Sequence, residues 1–370
     1  MSAGRDVVLV GGGHAHLQVL RAAAALRAAG ARVTLVAPRH FWYSGLATAV
    51  VGGSHAPEED RIDLAELSHR HGVRWLDNRV AAVHPQERSL VLADGSVLDY
   101  ELVSFNIGSE VALPDPRPTD PRLWPVKPIA GLAQLRAALC DRRDGAPLHV
   151  TVVGGGATGC EVAGNLAALG ERAGLDLQVT LCHASERLLP DAPAGAARRL
   201  AANLQGRGIV LRPGCRLGFS SAGEARLNDE PVAADYLVAA TGLRPPALAR
   251  SLADGADDDS PGGIPVTATL QHPQHPTLFA AGDCADFLPR PLPRVGVFGV
   301  RQGPVLAANL AAALRGRALR VFRPQRRYLT ILNLGDGTGL ALRGRWWSHG
   351  RLMLAWKHRL DRGFLRRQRC

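Results

Sequence analysis

Several residue types are scarce in this chain of 370 residues. Cysteine occurs six times, at scattered positions without a C-x-x-C pair, which argues against a disulfide framework and against a metal site. No apolar run approaches the roughly 20 residues that cross a bilayer. The chain enters a β-branched run at Val7 without the pattern of a secretory leader, so we expect a cytoplasmic protein.

Lysine is almost missing: of 44 basic residues, only Lys127 and Lys357 are lysines. The net charge of +11 is also uneven, because residues 320–370 hold 13 basic and 2 acidic residues, whereas the other 319 residues are balanced. The basicity therefore belongs to the C-terminal segment. This excludes a general nucleic-acid-binding surface, and we expect no nucleic-acid partner.

Glycine, in contrast, is concentrated in two similar phrases, 8–13 (VLVGGG) and 150–159 (VTVVGGGATG). Each is a short β-branched run that breaks into glycines and then enters an Ala/Leu-rich helical stretch. Glycine allows the unusual backbone of such a turn and the close approach of backbone N–H groups to a pyrophosphate. Two such phrases, each in a βαβ unit of about 30 residues, indicate two dinucleotide sites.

The second half of the chain repeats the plan of the first. The pairs Gly11/Gly154 and Gly108/Gly242 mark equivalent points of two copies of one unit, which indicates an internal duplication. We also expect a hairpin at Asp94-Gly95, a late strand that returns to the first sheet, and several further elements. These are strands at 7–10, 32–37, 101–107, 149–153, 177–182, 236–242 and 277–283, helices at 14–29, 63–71, 157–169, 305–314 and 348–369, a loop at 41–53 and a linker at 114–128.

These motifs resemble the pyridine nucleotide–disulfide oxidoreductase superfamily, in particular its type II NADH dehydrogenase and sulfide:quinone reductase side. Phrases such as GGGHAH, Asn106-Ile107-Gly108-Ser109 and Val126-Lys127-Pro128-Ile129 are similar to a branch often fused to selenophosphate synthetase. The resemblance implies an α/β fold of two duplicated Rossmann-like domains. It places an FAD domain at 1–128 and 265–319, an NAD(P) domain at 129–264, and a basic amphipathic C-terminal region at 320–370.

The resemblance implies FAD on the first phrase and NADH or NADPH on the second. Asp283 matches an aspartate that binds the ribityl chain of FAD; its alternative role is that of a turn or helix-capping residue. Hydride would pass from the nicotinamide to the flavin, so no protein nucleophile is needed. The implied cofactor-binding residues are Gly11, Gly12, Gly13, His14, Ala15, Arg39, Ser44, Gly108, Gly154, Gly156, Thr158, Gly159, His183, Thr241, Gly242, Gly282, Asp283 and Gln302.

Two residues are candidates for a direct part in the reaction. Glu161 matches a glutamate near the stacked rings, although an acid in a first helical turn is favourable in any case. Lys127 could stabilise the reduced flavin anion, and its alternative is a solvated lysine in a linker. A helix that opens at Gly303-Pro304 would direct its N-terminus at the flavin.

Four positions depart from the family pattern. His16 replaces the third glycine of the first phrase, so it either packs in a splayed helix–strand junction or meets the phosphate; we favour packing. Ala37 replaces an acid that binds the adenosine ribose of FAD. His183 replaces the equivalent acid of the second unit, and with Arg187 nearby it leaves NADPH acceptable. Quinone-reducing relatives have paired glutamines just before the helix at Gly303, whereas this chain has Val297 and Arg301 in the corresponding places and keeps only Gln302. This weakens a direct transfer of quinone specificity.

The C-terminal segment can be drawn as an amphipathic helix at 348–369. Leu352, Met353, Trp356, Leu360 and Phe364 form one stripe, with arginines across from it. Such a helix suits an anionic membrane surface; the same stripe could instead pack on the body of the protein or on a second subunit. A nucleic-acid-binding arm is the weakest alternative.

The sequence thus predicts a flavoprotein that passes electrons from NAD(P)H through FAD to a quinone or another small acceptor, peripheral to the inner face of the cell membrane. One alternative is a soluble FAD oxidoreductase acting on a sulfur or selenium compound. Another is a flavin-binding sensor or interaction module without turnover. Besides the small-molecule acceptor, the candidate binding partners are a membrane surface and a second copy of the chain in a homodimer.

Overall fold

The computed structural model describes residues 5–142, 145–253 and 262–369. The helices in this part of the chain are α1 (His14–Arg21), α2 (Ala23–Arg27), α3 (Ser44–Val51), α4 (Leu64–Arg70), α5 (Ala130–Cys140), α6 (Ala157–Ala173), α7 (Ala194–Gln205), α8 (Ala247–Arg250), α9 (Gly296–Leu314) and α10 (Arg351–Arg369). A short 3-10 turn spans Gly282–Cys284.

The strands of the first half are β1 (Arg5–Val10), β2 (Ala31–Val36), β3 (His40–Trp42), β4 (Arg61–Asp63), β5 (Arg74–Leu76), β6 (Val80–His84), β7 (Ser89–Leu92), β8 (Val97–Asp99), β9 (Leu102–Phe105), β10 (Glu110–Val111) and β11 (Leu123–Pro125). Those of the second half are β12 (Leu148–Val153), β13 (Leu177–His183), β14 (Val210–Pro213), β15 (Leu217–Phe219), β16 (Ala225–Leu227), β17 (Glu230–Pro231), β18 (Tyr236–Ala239), β19 (Leu243–Arg244), β20 (Ile264–Val266), β21 (Leu278–Ala280), β22 (Ala285–Phe287), β23 (Thr330–Asn333), β24 (Gly339–Arg343) and β25 (Trp346–Gly350).

Two five-stranded parallel sheets form the framework. The first has the order β21-β9-β1-β2-β5, and the second has the order β11-β18-β12-β13-β14. Every neighbouring pair in both sheets is parallel. Their central strands are buried along most of their length, which explains their continuous β-branched runs. The matching order confirms the internal duplication, and β21 is the expected late strand that returns to the first sheet.

The chain passes between the two sheets twice. The first passage follows β9 and ends before β11, which already pairs with the second sheet. The second passage follows β18, and Ala249 and Leu252 after it are buried in the core of the first sheet. A two-residue antiparallel ribbon, β10 with β19, joins the two passages. The domain boundaries at 128 and 264 stay a prediction. The proline-rich stretch expected as a linker at 114–128 contains β11, which is a strand of the second sheet.

Small antiparallel elements lie outside the two main sheets. β6, β7 and β8 form a meander, and β7 and β8 flank Asp94-Gly95, which confirms the hairpin predicted there. Gly95 has a positive φ of 84°, a conformation that glycine adopts at little cost. The second half carries a corresponding meander of β15, β16 and β17.

Three predicted elements were wrong in detail. The helix expected at 14–29 is interrupted at Ala22, where φ is −91° and ψ is 4°. The loop expected at 41–53 contains β3 and α3; the run from Leu46 to Val51 in α3 is buried throughout, so it shows no amphipathic period. The helix expected from Val305 begins at Gly296 and keeps Pro304 in its interior.

The glycines of α9 explain why its first turns were missed. A Cβ atom at Gly303 would lie 2.7 Å from Gln18 Cγ and 3.0 Å from Ala15 O, so only glycine lets α9 lie against α1. Glycine lowers the helix propensity of the segment. Contrary to the expectation that no apolar run approaches this length, α9 is the one described helix that is long and apolar enough to cross a membrane. More than half of it is buried inside the protein.

The C-terminal segment is a folded part of the body. β23, β24 and β25 form an antiparallel sheet, and α10 follows at Arg351, three residues later than predicted because β25 occupies Trp346–Gly350. Leu332, Leu334 and Leu340 belong to the core of the second sheet, whereas Phe364 and Leu365 belong to that of the first. The segment therefore ties the two units together.

Candidate functional site

A cavity of about 460 Å³ lies where the two duplicated units and the C-terminal segment meet. Nine of the predicted site residues line it: Gly13, His14, Ser44, Gly108, Lys127, Thr158, Glu161, Gly282 and Asp283. Val297, which the sequence marked as a departure from the family pattern, also lines it. The lining residues that were not predicted as site residues are Phe41, Trp42, Asn106, Ser109, Pro128, Ile129, Ala157, Leu243, Arg294, Val295, Gly296, Gly299, Tyr328, Leu329 and Thr330.

Asn106 fixes the turn between β1 and α1. Its Oδ1 accepts hydrogen bonds from Ala15 N at 2.8 Å and His16 N at 3.2 Å, and its Nδ2 donates to Ala281 O at 2.6 Å. The side chain thus satisfies two backbone donors at the start of α1, which have no partner within the helix. Asn106 links the first glycine phrase to the turn that carries Asp283. Its place in the phrase after β9 was the sequence signal for it.

The glycine turns leave open space where a nucleotide would lie. A Cβ atom at Gly108, Gly156 or Gly242 would meet no heavy atom within 4 Å, whereas one at Gly154 would lie 2.2 Å from Ala240 O. The first three positions therefore border open volume, and Gly154 is needed for the backbone packing itself. Together with the N-terminal ends of α1 and α6, these turns suit pyrophosphate groups, so the residues fit two dinucleotides.

His16 packs in the helix–strand junction, as favoured from the sequence. Its side chain is fully buried, with Nδ1 2.6 Å from Gly11 O and Nε2 2.9 Å from Ser104 Oγ. Burial lowers the pKa of His16 to about 4, so the ring is neutral at physiological pH. At the equivalent Gly159, a Cβ would lie 1.9 Å from Gly154 O, so the second junction is tighter and requires glycine.

Lys127 and Asp283 form an ion pair on the cavity wall. Lys127 Nζ lies 2.8 Å from Asp283 Oδ2 and 2.6 Å from Ser109 Oγ, and Ser109 donates to the same carboxylate at 2.8 Å. Burial would raise the pKa of Asp283, but Lys127 and Ser109 outweigh it and hold that pKa below its usual range. Lys127 is therefore not a solvated linker residue.

His14 lies beside this pair as a neutral ring. Burial lowers the pKa of His14 to about 4, although Asp283 opposes the shift. The ring contacts Phe41 edge-on at a centroid distance of 5.0 Å and lies 5.6 Å from Phe364 of α10. Aromatic side chains from the start and the end of the chain thus meet at the edge of the cavity.

Glu161 is held at the opposite side of the cavity by the C-terminal segment. Its Oε1 accepts a hydrogen bond from Asn333 N at 2.7 Å, and Thr48 Oγ1 lies at 3.5 Å. Burial raises the pKa of Glu161, and Lys357 of α10 partly opposes this shift. Neither Asn333 nor Lys357 was predicted as a site residue, because nothing local to either residue indicates an interaction with α6.

The inner face of α10 carries a second buried ion pair. Lys357 Nζ lies 3.0 Å from Asp361 Oδ2 and donates to Gly45 O, and Tyr43 donates to Asp361 Oδ1 at 2.8 Å. Tyr43 also stacks on Phe364 at 4.6 Å. The predicted apolar stripe is therefore divided: Phe364 is buried, whereas Leu352, Trp356 and Leu360 are 79%, 39% and 48% exposed.

Several predicted site residues do not line the cavity. Gln302 is buried inside α9, where its Oε1 accepts from Gly282 N at 2.7 Å. Arg39 is paired with Asp63 at the surface, with Nε 2.8 Å from Oδ2, and His183 is buried beside Gly155. The remaining ones belong to the two glycine phrases or adjoin them: Gly11, Gly12, Ala15, Gly154, Gly156, Gly159, Thr241 and Gly242.

Three of the five described cysteines lack the properties of redox-active thiols. Cys160, Cys182 and Cys284 are buried, and burial raises the pKa of each thiol to about 12. Reactive cysteines need accessible, easily ionised thiols. Cys370 lies outside the described residues.

The family model described as pyridine nucleotide-disulphide oxidoreductase matches residues 5–309 of the chain. The protein belongs to this family. Its fold of two dinucleotide-binding domains and its use of FAD and NAD(P)H are thereby confirmed, and it is a flavoprotein oxidoreductase.

Three curated relatives illustrate the range of this family. Putidaredoxin reductase CamA of Pseudomonas putida is 27% identical over 342 residues, which are 86% of this chain and 76% of that protein. The type II NADH:quinone oxidoreductase Ndh of Mycobacterium tuberculosis is 29% identical over 45% of this chain and 38% of its own length. Dihydrolipoyl dehydrogenase of Bacillus subtilis is 32% identical, but over only 37% of this chain and 30% of its own length.

Solved structures agree in fold. The sulfide:quinone oxidoreductase of Aquifex aeolicus superposes with a TM-score of 0.76 at 14% identity, covering 99% of this chain and 92% of that one. A ferredoxin reductase of Rhodopseudomonas palustris gives a TM-score of 0.73 at 21% identity, covering 91% and 82%. The first of these likenesses extends over nearly the whole chain, including the C-terminal segment.

Proposed function

We propose that this protein oxidises NADH or NADPH through FAD and delivers the electrons to a quinone at the surface of an anionic membrane. The observation that carries the proposal is the single cavity on which Asp283, Lys127 and Glu161 converge. The bound cofactors supply the hydride and electron transfer. The protein supplies alignment, charge and the exclusion of water.

On the FAD side, Asn106 orients the first turn of α1, which would hold the pyrophosphate, and Asp283 would accept hydrogen bonds from the ribityl chain. Lys127 places a positive charge beside the site at which negative charge develops on reduction. The start of α9, at Arg294–Gly296 on the cavity wall, adds the positive end of a helix dipole. This start is seven residues earlier than the one predicted at Gly303.

On the nicotinamide side, Gly154, Gly156, Thr158 and Gly159 form the turn, and Glu161 marks the place where the two rings meet. Burial raises the pKa of Glu161, which favours the protonated carboxyl group, and we propose that this group gives its proton to the acceptor. No carboxylate stands at position 183 to repel a 2′-phosphate, so we expect both NADH and NADPH to be accepted.

A quinone is favoured over other acceptors by the outer face of α10. Leu352, Trp356 and Leu360 lie at successive turns and are exposed, and arginines flank them. Transfer of one such side chain into an apolar phase yields about 1.5–3 kcal/mol, and each arginine near an anionic surface adds about 1 kcal/mol. A membrane-bound protein meets acceptors that are dissolved in the membrane.

The second candidate function is that of a soluble FAD oxidoreductase acting on a sulfur or selenium compound. The family of the protein and its structural likeness to sulfide:quinone oxidoreductase favour it, but none of the five described cysteines lines the cavity. A protein electron carrier, as the name of putidaredoxin reductase suggests for that relative, is a further acceptor class to be tested.

Stopped-flow reoxidation of the reduced holoprotein distinguishes these acceptors. We expect ubiquinone or menaquinone analogues to reoxidise the flavin faster than polysulfide, thiol or acidic ferredoxin-type acceptors at equal concentration. Glu161→Gln should slow the quinone step and leave FAD content unchanged. Faster reoxidation by polysulfide or ferredoxin than by either quinone would refute the proposed acceptor.

Membrane docking is tested with point variants, because deletion of the C-terminal segment would also remove Asn333 and Phe364 from the body. Trp356→Ser with Leu360→Ser should reduce sedimentation with anionic vesicles by about 10-fold or more, since about 1.4 kcal/mol corresponds to a factor of ten. Ala355→Ser, on the exposed side of the same helix, is the control. Undiminished sedimentation of the double variant would exclude this face.

A further inference from the structure

The two passages of the chain between the sheets are joined by a compact group of charges. Glu110 and Asp115 lie on the first passage, and Arg244 and Arg250 lie on the second. Arg244 Nε is 2.9 Å from Glu110 Oε1, and its NH2 is 2.8 Å from Asp115 Oδ1. Arg250 NH1 is 3.2 Å from Glu110 Oε1, and its NH2 is 3.0 Å from Asp115 Oδ2.

Each guanidinium therefore bridges both carboxylates, which requires the planar, forked geometry of arginine. The ribbon of β10 and β19 adds backbone hydrogen bonds between the same passages, and Ala112 N donates to Gly242 O at 3.0 Å. The hydrogen bonds from Arg244 lower the pKa of Asp115. The four side chains are all partly exposed, and exposed ion pairs add little to global stability.

The group adjoins both nucleotide-binding turns. Ser109, which binds the Lys127–Asp283 pair, directly precedes Glu110. Leu243, which lines the cavity, directly precedes Arg244. On the far side, Val111 is buried in the second core and Ala249 in the first, so each passage is anchored in the core of the opposite unit.

We propose that Glu110, Asp115, Arg244 and Arg250 form an interdomain clamp whose role is to hold the Gly108–Ser109 turn and the Thr241–Leu243 turn at a fixed separation. These four are positioning residues: they act through the two turns and not on the reacting atoms. A rotation of one sheet against the other about the two passages has to break all four ion pairs together. The expected effect on the rate of flavin reduction rests on the proposed NAD(P)H oxidation, whereas the fixed separation of the two turns does not depend on it.

The first test is amide hydrogen exchange of the FAD-loaded protein. In Arg250→Met, we expect peptides covering 108–113 and 241–246 to exchange at least about 10-fold faster than in the wild type, with the remainder of both sheets unchanged. Asp115→Asn, which is isosteric and lies at the exposed rim, should show a smaller increase, so the test holds even if Arg250→Met folds poorly. Arg32→Met removes an exposed ion pair with Asp6 inside the first domain and is the matched control.

The second test is the limiting rate of anaerobic flavin reduction at saturating NAD(P)H. Because a misplacement of about 1 Å costs about 100-fold in an aligned reaction, we expect a fall of about 10-fold to 100-fold in Arg250→Met, with FAD content and half-saturating NAD(P)H unchanged. Arg250→Lys should be intermediate. High salt, which screens exposed charges, should slow the wild type but not Arg250→Met.

If the amide hydrogens of both peptides exchange at the wild-type rate in Arg250→Met and in Asp115→Asn, the proposed clamp is wrong. Faster exchange with an unchanged limiting rate overturns its positioning role. If the flavin of the wild type is not reduced by either nicotinamide, the proposed function fails, and the exchange measurement alone then decides whether the clamp exists.

Discussion

Lys357 offers a sharp test of how the C-terminal helix supports the cavity. Its ammonium group lies 3.0 Å from Asp361, and the two side chains are only 11% and 7% exposed. Replacement by methionine removes the cation and leaves Asp361 with the single described hydrogen bond from Tyr43. Breaking a buried pair in this way costs about 3–5 kcal/mol, which we expect as the loss in the free energy of unfolding.

Urea unfolding of the FAD-bound protein measures this loss. Lys357→Met combined with Asp361→Asn should recover most of it, since the buried charge is then gone and Tyr43 keeps an acceptor. Lys357→Arg should also be destabilising, because the compact ammonium has to reach Asp361 and Gly45 O together and the larger guanidinium does not fit this geometry.

The matched control is Glu66→Gln, which removes an exposed i,i+4 pair with Arg70 and should change the free energy of unfolding by less than about 0.5 kcal/mol. A loss in Lys357→Met no larger than that of the control, or a double variant less stable than the single one, would contradict the argument. In Lys357→Met the pKa of Glu161 should also rise further, because the charge of Lys357 lowers that pKa in the wild type.

Three further predictions concern single side chains. Lys127→Met removes the cation that lowers the pKa of Asp283, so this carboxylate becomes protonated at a higher pH. As the pH is lowered, release of FAD, measured by flavin fluorescence, should therefore begin at a higher pH than in the wild type. An unchanged pH profile of FAD release would contradict this role of the ion pair. Asn106→Ala leaves buried backbone groups without partners at about 1–3 kcal/mol each, and the purified variant should contain less FAD than the wild type at equal protein concentration. Burial raises the pKa of Asp60 to about 7, so the folded protein keeps a proton that the unfolded chain loses near pH 4, and stability falls as pH rises from about 4 to about 7. The urea midpoint of Asp60→Asn should therefore equal that of the wild type at about pH 4 and exceed it at about pH 8. Equal midpoints at both pH values would show that the pKa of Asp60 is not raised.

The sequence predicts best what is encoded locally. The two glycine phrases, the repeated order of strands and the turn at Asp94-Gly95 depend on short-range patterns, because backbone conformation and the alternation of buried residues act over a few positions. The prediction that His16 packs in the junction was confirmed for the same reason: its neighbour Gly11 directly follows β1 and its neighbour Ser104 lies in β9, and the pattern had already identified both strands.

The sequence does not predict contacts between distant segments. In α3, the residues from Leu46 to Val51 are all buried, so the segment carries no period that distinguishes it from a loop. α10 has an outer and an inner face. The buried inner face could not be predicted, because its partners Tyr43 and Glu161 are distant in sequence. One composition signal was available: in a chain with only two lysines, both Lys127 and Lys357 are in ion pairs whose side chains are 21% exposed or less.

Anaerobic titration of the purified holoprotein with NADH and with NADPH tests the central claim most directly. If the two duplicated units hold their nucleotides across the cavity, at least one nicotinamide should bleach the visible flavin absorbance in proportion to the amount added. A bound flavin that dithionite reduces but that neither NADH nor NADPH reduces would contradict it, and would favour a flavin-binding sensor instead.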